Sequence, residues 1–204
     1  MSKLTVNGFE IYKTLIAPAD QADLRDQIRD VARAAPFFRP VTRGGRPMSV
    51  RITSAGRLGW HAGAGGDSYW GHQPGGGDWP PIPQRLLDMW AQVTGCTRQP
   101  DSCLINFYGE GARMGLHQDK GEEAYDFPVV SVSLGDEALF RMGGVERSDP
   151  TRSVWLQSGD VVVMGGAARL AFHGIDRIRF GSSALLPRGG RINLTLRVIG
   201  SAVA

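Results

Sequence analysis

Arg191-Ile192-Asn193-Leu194-Thr195-Leu196-Arg197 alternates polar and apolar residues without a break. In an extended strand successive side chains point to opposite faces. Ile192, Leu194, Leu196 and Val198 therefore lie on one side, and Arg191, Asn193, Thr195 and Arg197 on the other. The first face is suited to a core. The second, if it lined the interior of a β-structure, would leave unpaired guanidiniums at a cost on the order of several kcal/mol, and a buried dianion is their natural partner. A dicarboxylic acid such as 2-oxoglutarate has the required shape: one arginine grips the distal carboxylate in a bidentate fork while the other end chelates a metal. Read alone, the same residues also describe a solvated strand face bearing charges. Asn106 and Tyr108 share a face as well and can donate hydrogen bonds to the same acid.

Outward from this strand, the chain beyond residue 100 breaks into short apolar segments separated by glycine and Asp-Pro turns: Cys103–Tyr108, Val129–Leu134, Leu139–Met142, Ser153–Leu156, Asp160–Met164 and Arg191–Ile199. Such segments imply an all-β sandwich or barrel. Upstream, Leu24, Ile28 and Val31 recur at helical spacing, which predicts a helix over Asp20–Ala35, capped by Asp20 and ended by Pro36. A second is expected after Pro83, with Leu86, Leu87, Trp90 and Val93 as its apolar face and Gly95 as its C-terminal cap. Between the helices, residues 41–79 are crowded with glycine, arginine and the aromatics Trp60, Tyr69, Trp70 and Trp79, and read as a mobile surface segment.

Leu116-His117-Gln118-Asp119 places an imidazole and a carboxylate two residues apart, hence on one side of extended chain. A third ligand from a distant strand, His173, would complete a facial triad. Two nitrogens and one oxygen on one side of a metal leave positions open for a bidentate cosubstrate and oxygen, which suits iron(II) rather than structural zinc. A His-x-Asp pair by itself is also what a surface turn carries. Of the four histidines, His61 and His72 fall in the glycine-rich segment, while His173 follows an apolar strand.

The bulk properties are compatible with these readings. The chain has 204 residues, 42% of them hydrophobic, enough for one substantial core. No apolar run approaches the roughly 20 residues of a membrane helix, and no secretory signal is visible, so a cytoplasmic protein is expected. Cys96 and Cys103 lack metal or disulfide spacing and read as buried or idle thiols. A net charge of +3 favours polyanions only mildly. Arginine supplies 20 of the 23 basic residues, including Arg39, Arg43, Arg46, Arg51 and Arg57, and its planar group suits phosphate and base stacking.

Together, Asn106-x-Tyr108, Leu116-His117-Gln118-Asp119-Lys120, Val130-Ser131-Val132-Ser133-Leu134-Gly135, Gly159-Asp160-Val161-Val162-Val163 and Arg191-x-Asn193-x-Thr195-x-Arg197 resemble the bacterial AlkB pattern. The likeness runs from about residue 36 to 198 and includes Met48-Ser49-Val50, Leu58-Gly59-Trp60 and Trp79-Pro80. It implies a mainly β fold with flanking helices (α+β), built on a double-stranded β-helix or jelly-roll core. The expected organisation is a single dioxygenase domain over 1–204, with a nucleotide-recognition lid at about 36–82 and a catalytic core at about 100–199. The implied activity is oxidative demethylation of bases such as 1-methyladenine and 3-methylcytosine. It uses iron(II), 2-oxoglutarate and O2, and releases formaldehyde, succinate and CO2. The implied partner is alkylated single- or double-stranded DNA, with RNA as a further candidate, bound by a monomer.

By the same resemblance, His117, Asp119 and His173 would bind iron, and Asn106, Tyr108, Arg191, Asn193 and Arg197 would surround 2-oxoglutarate. Trp60 would stack on the flipped base, and Tyr69 and Arg147 would contact the substrate strand or the lesion. Apart from the resemblance, Trp60 reads as a partly buried lid tryptophan and Arg147 as a turn arginine. Two positions depart from the pattern. Gly121 stands where the family often has an acidic residue, followed by Glu122 and Glu123, and Asp67 occupies an aromatic lid position. Methylation at a pairing nitrogen makes a base cationic, so Glu122 or Asp67 is expected to supply the carboxylate that favours it. Two other readings compete: a 2-oxoglutarate-dependent hydroxylase of a protein or small molecule, and an inert nucleic-acid-binding β domain.

Overall fold

The structure is a computed structural model that describes residues 2–41, 45–63, 66–120 and 125–200, with Ala62, Gly63, Gly66 and Asp67 described by backbone alone. Two sheets face each other. The larger has seven strands in the order β1 (Ser2–Val6), β2 (Phe9–Lys13), β11 (Val161–Met164), β8 (Val129–Gly135), β13 (Arg191–Arg197), β6 (Ser102–Tyr108) and β3 (Val50–Gly56). The smaller runs β10 (Arg152–Leu156), β9 (Glu137–Met142), β12 (His173–Arg179), β7 (Met114–His117). Every pairing in both is antiparallel. A separate hairpin, β4 (Gly59–Gly63) with β5 (Gly66–Trp70), carries Trp60 opposite Tyr69. This is the jelly-roll architecture expected from the sequence.

The alternation in β13 organises the molecule. Ile192, Leu194 and Leu196 join Ile105, Val130, Val132 and Leu134 on the outer face of the large sheet, where they meet Leu24 and Ile28 of α1 (Pro18–Ala34) and Leu86 and Trp90 of α2 (Gln84–Thr94). Fully burying a side chain of this size contributes about 1.5–3 kcal/mol. The opposite face looks toward the small sheet across a second apolar cluster that includes Phe9, Ile11, Ile52, Phe140, Met142 and Ile175. Helices, large sheet and small sheet thus form three layers, and all seven residues of both β8 and β13 are buried in the middle one.

Two local expectations are corrected. Helix α1 starts two residues before Asp20, with Pro18 in its first turn and Ala17 as an N-cap that makes no side-chain hydrogen bond. Proline fits there because the first helical N–H has no intrahelical acceptor to lose. Within the 41–79 segment, Val50–Gly56 is not a surface stretch: β3 is the last strand of the large sheet and pairs with β6 along seven residues. Strands β1 and β2 had no sequence expectation at all. Gly95 does close α2 in the left-handed conformation, at φ 66°. Gly135, with φ +88°, ends β8 where an added Cβ would lie 2.5 Å from the Gly190 carbonyl oxygen, so only glycine lets the turn before β13 pass. Among the described residues, no helix is long and apolar enough to cross a membrane.

Candidate active site

Strands β7 and β12 pair so that His117 lies directly opposite His173, with ring centroids 4.6 Å apart. Strand β7 ends at His117, and Asp119 follows two residues on with its carboxylate between the rings: Oδ1 is 3.6 Å from His117 Nε2 and Oδ2 3.6 Å from His173 Nε2. One ligand atom from each of the three lies within 4.8 Å of the others, close enough for a single metal ion. The Nδ1 of His117 is 2.9 Å from the Gly115 carbonyl, and that of His173 is 3.0 Å from the Ala171 carbonyl. A carbonyl can only accept, so both Nδ1 atoms carry the proton and both Nε2 lone pairs face the centre, as metal ligation requires.

Charge is arranged to keep Asp119 and His117 deprotonated. Burial alone would raise the Asp119 carboxyl, but the Arg197 guanidinium 2.5 Å from Oδ1, together with His173 and His117, holds it well below the usual carboxylate range. Burial lowers the His117 imidazole, and the neighbouring His173 adds to that while Asp119 opposes it. An ionised carboxylate beside a neutral imidazole is the state that binds a divalent cation.

The wall above the triad is built by β13, β6 and β8. Register sets Arg191 opposite Tyr108 and Asn193 opposite Asn106, so the four side chains that the sequence placed on common faces point into one cavity. Arg191 is 1% exposed. Its Nη2 donates to Ser133 Oγ at 2.9 Å and its guanidinium lies 5.2 Å over the Tyr108 ring, yet Nε and Nη1 have no hydrogen-bond partner. Asn106 Oδ1 is also unpartnered. Buried orphan donors are rare because each costs about 1–3 kcal/mol, and here they fit a ligand carboxylate. Asn193 is committed to protein partners: it donates to Ser131 Oγ at 2.6 Å and to the Val132 carbonyl, and accepts from Thr195. Ser131 and Ser133, which share a face in β8 and support this row, were legible in the alternation of 129–135 but had no role assigned. The cavity has a volume of about 400 Å3, and Arg191, the triad and Trp60 all line it.

The remaining expected residues divide. Trp60 lines the cavity, with its backbone N–H bonded to Ser54 Oγ at 3.1 Å. The Tyr69 hydroxyl accepts from Arg197 Nη1 at 2.7 Å, which ties the β4–β5 hairpin to the base of the site. Arg147 is exposed outside the cavity wall, donating to the Leu116 carbonyl at 3.1 Å over the Phe172 ring. Gly121, Glu122 and Glu123, and the side chain of Asp67, lie outside the described residues. Sequence reading missed Arg169, whose Nη1 donates to the backbone carbonyl of Asp119 at 2.9 Å and whose Nε donates to that of Phe127 at 2.8 Å. Gln118, between His117 and Asp119, is anchored to the Leu170 carbonyl at 2.6 Å. Together they pin the segment bearing Asp119 to the start of β12.

Known proteins share both the sequence and the fold. A family model described as the 2OG-Fe(II) oxygenase superfamily matches residues 8–197. An alpha-ketoglutarate-dependent dioxygenase AlkB homolog of Caulobacter vibrioides is 52% identical over 193 residues, spanning 94% of this chain and 88% of that protein. The alpha-ketoglutarate-dependent dioxygenase AlkB of Escherichia coli is 43% identical over 198 residues, spanning 95% and 91%. The solved structure of OsALKBH1 superimposes with a TM-score of 0.82 at 31% identity, covering 95% of this chain and 99% of that one. The jelly-roll, the His117–Asp119–His173 cluster and these likenesses agree: the chain belongs to the AlkB family of iron(II)- and 2-oxoglutarate-dependent dioxygenases.

Proposed function

We propose that this dioxygenase removes methyl groups from N-alkylated bases of the 1-methyladenine and 3-methylcytosine type in DNA, with RNA as a second substrate class. The observation that carries the reading is the meeting, in one cavity, of a three-residue cluster able to hold a metal ion, a buried arginine with two unpartnered nitrogens, and a tryptophan on a separate hairpin. The first two are what iron(II) and 2-oxoglutarate need. The third suits a flat, cationic substrate, because an aromatic face attracts a charged base more than a neutral one.

In this reading His117, Asp119 and His173 hold iron through both Nε2 atoms and a carboxylate oxygen. Arg191 holds the distal carboxylate of 2-oxoglutarate, assisted by Asn106 and Tyr108, while Asn193 and Arg197 shape the floor. When bound, iron(II) with 2-oxoglutarate and O2 supplies the oxidation of the N-methyl carbon, yielding succinate, CO2 and a hydroxymethyl group lost as formaldehyde. The apolar wall of Ile52, Leu104, Phe140, Met164 and Ile175 keeps water from the reacting carbon. No protein nucleophile is required. Residues 36–82 form the lid: Tyr69 fixes its hairpin to Arg197, so that Trp60 stands over the cavity to stack on a base taken out of the helix. Arg147 contacts the strand. Working as a cytoplasmic monomer completes the proposal.

The test is an anaerobically iron-loaded assay into which O2 is admitted, following succinate and formaldehyde with single-stranded oligonucleotides bearing 1-methyladenine or 3-methylcytosine. Formaldehyde and restored base in equal amounts from the wild type, and none from His117→Ala, are expected. Succinate without demethylation would overturn the nucleic-acid substrate and favour a protein or small-molecule hydroxylase.

A further inference from the structure

The outer face of the small sheet, turned away from the active site, has no packing partner among the described residues and is rich in arginine. Cross-strand register fixes which side chains stand on it. Leu139 of β9 pairs with Trp155 of β10 on one side and Arg177 of β12 on the other, forming one outward row. The next row holds Ser153, Arg141 and Gly174, and a third Glu137 with Arg179. Arg177 and Arg179 both lie over the Trp155 ring, at 5.7 and 4.4 Å. Arg113, just before β7, joins Arg141 and Arg177 along a single groove.

Two carboxylates face these four arginines, and each is taken: Asp176 pairs with Arg141 at 2.8 Å, and Glu137 pairs with Arg179. Arg113 and Arg177 are exposed and have no carboxylate within ion-pair reach among the described residues. A cationic sheet face alone is ordinary solvated surface. Its position distinguishes it: Met114, Gly115 and Ile175 line both this groove and the active-site cavity, so the groove begins at the cavity's rim on the β7 side. At that rim Gly115 is exposed, and an added Cβ there would meet nothing within 4 Å, which leaves room for a bulky chain to cross β7.

We infer that this groove is a backbone track for the nucleic acid that leaves the active site, with Arg113 and Arg177 taking phosphates on either side of the Arg141–Asp176 pair. The occupant is a polyanion with spaced charges, to which forked guanidiniums bind through paired N–H groups. The track deepens the proposed function and rests on it. Base identity plays no part here, so the groove adds affinity for long strands without adding preference for one lesion.

The experiment compares wild type with the double variant Arg113→Ser, Arg177→Ser on two substrates: a methylated trinucleotide, too short to reach the groove, and a methylated single strand extending several nucleotides on each side of the lesion. Each lost phosphate contact lowers the slope of log KM against log salt by about 0.7, so the double variant should lose about 1.4 on the long strand. Its KM there should rise roughly threefold to thirtyfold at low salt. Turnover of the trinucleotide stays at the wild-type value, which also establishes that the variant is folded and loaded. Lysine at both positions restores most of the slope, since the term depends on charge. An unchanged KM and slope on the long strand, with both substrates turned over, would overturn the groove alone. Absence of turnover on either substrate by wild type that still makes succinate would overturn the nucleic-acid reading and the groove with it.

Discussion

Arg191→Met should move two measurements in opposite directions. In the free protein Arg191 is 1% exposed, and only Nη2 is satisfied, by Ser133 Oγ at 2.9 Å. Burial pulls its pKa below the ordinary arginine value, though Tyr108 opposes this and the group keeps its charge. Methionine fills a similar volume, removes two orphaned donors whose desolvation costs about 1–3 kcal/mol each, and forfeits one hydrogen bond worth about 1 kcal/mol. The net is a gain on the order of 1–5 kcal/mol, or a rise of roughly 2–20 °C in the Tm of the free protein.

Cosubstrate binding should suffer. Removing one partner of a buried, charge-assisted pair costs about 3–5 kcal/mol, so affinity for 2-oxoglutarate should fall roughly a hundredfold to several thousandfold. Thermal melts without and with saturating 2-oxoglutarate measure both quantities, and anaerobic calorimetric titration of the metal-loaded protein gives Kd directly. The wild type gains about 2.7 kcal/mol when the ligand stands at 100 times Kd, whereas the variant at the same concentration gains almost nothing. A variant that melts several degrees lower when free yet keeps the full ligand-induced shift would refute the reasoning, since Arg191 would then be an ordinary structural cation.

Arg169→Lys should weaken metal binding more than cosubstrate binding. A lysine can reach one of the Asp119 and Phe127 carbonyls but not both, so one buried acceptor goes unmet at about 1–3 kcal/mol, to be read as lower iron affinity in a competitive chelator titration and a lower Tm. The metal-free protein should lose stability in two stages as pH falls. The lowered His117 pKa means that the unfolded chain takes up its proton first, so stability drops as pH falls below the ordinary value of 6.5. Asp119, also lowered, contributes stability that is present above its ordinary value of 3.8 and is lost as pH falls further. His117→Gln should abolish the first stage and keep the second, measured by Tm against pH. Cys103 is fully buried and its thiol is pushed up to about 12, so a native thiol titration should detect at most the half-buried Cys96, and both only in urea.

How far the site could be read from the sequence depends on which interactions are local. Strand β13 was legible because alternation is a property of neighbouring residues, and with it came the row that lines the cavity. His117 and Asp119 were legible as a pair for the same reason, although the strand ends between them. What chain order does not contain is register: that His173 would face His117, or Asn193 face Asn106, follows from which strands lie side by side. Phe9-Glu10-Ile11-Tyr12-Lys13 offers only two core residues, and its place is set by pairing with β11 some 150 residues on. Arg169 carries no signal either, because an arginine in a short turn is normally solvated and its two acceptors lie 42 and 50 residues away.

The same reasoning explains why the most informative residues are those that local rules assign to solvent. A strand with one polar face is ordinarily a surface strand, and Arg191, Asn193 and Arg197 would be placed outside by that rule. They are buried because the large sheet is covered on both sides, by helices on one and by the small sheet on the other. In such a position each polar side chain must find a partner, and most do: Asn193 in Ser131, Arg197 in Asp119 and Tyr69, and one nitrogen of Arg191 in Ser133. The protein itself leaves Arg191 Nε and Nη1 and Asn106 Oδ1 unmatched. A polar row that is buried and almost, but not wholly, satisfied is the physical mark of a binding wall rather than of a core network, because the missing partners define what the ligand must bring: an acceptor pair for the arginine and a donor for the amide oxygen. The carboxylate of 2-oxoglutarate meets the first demand, and the second is open to an ordered water or to the substrate.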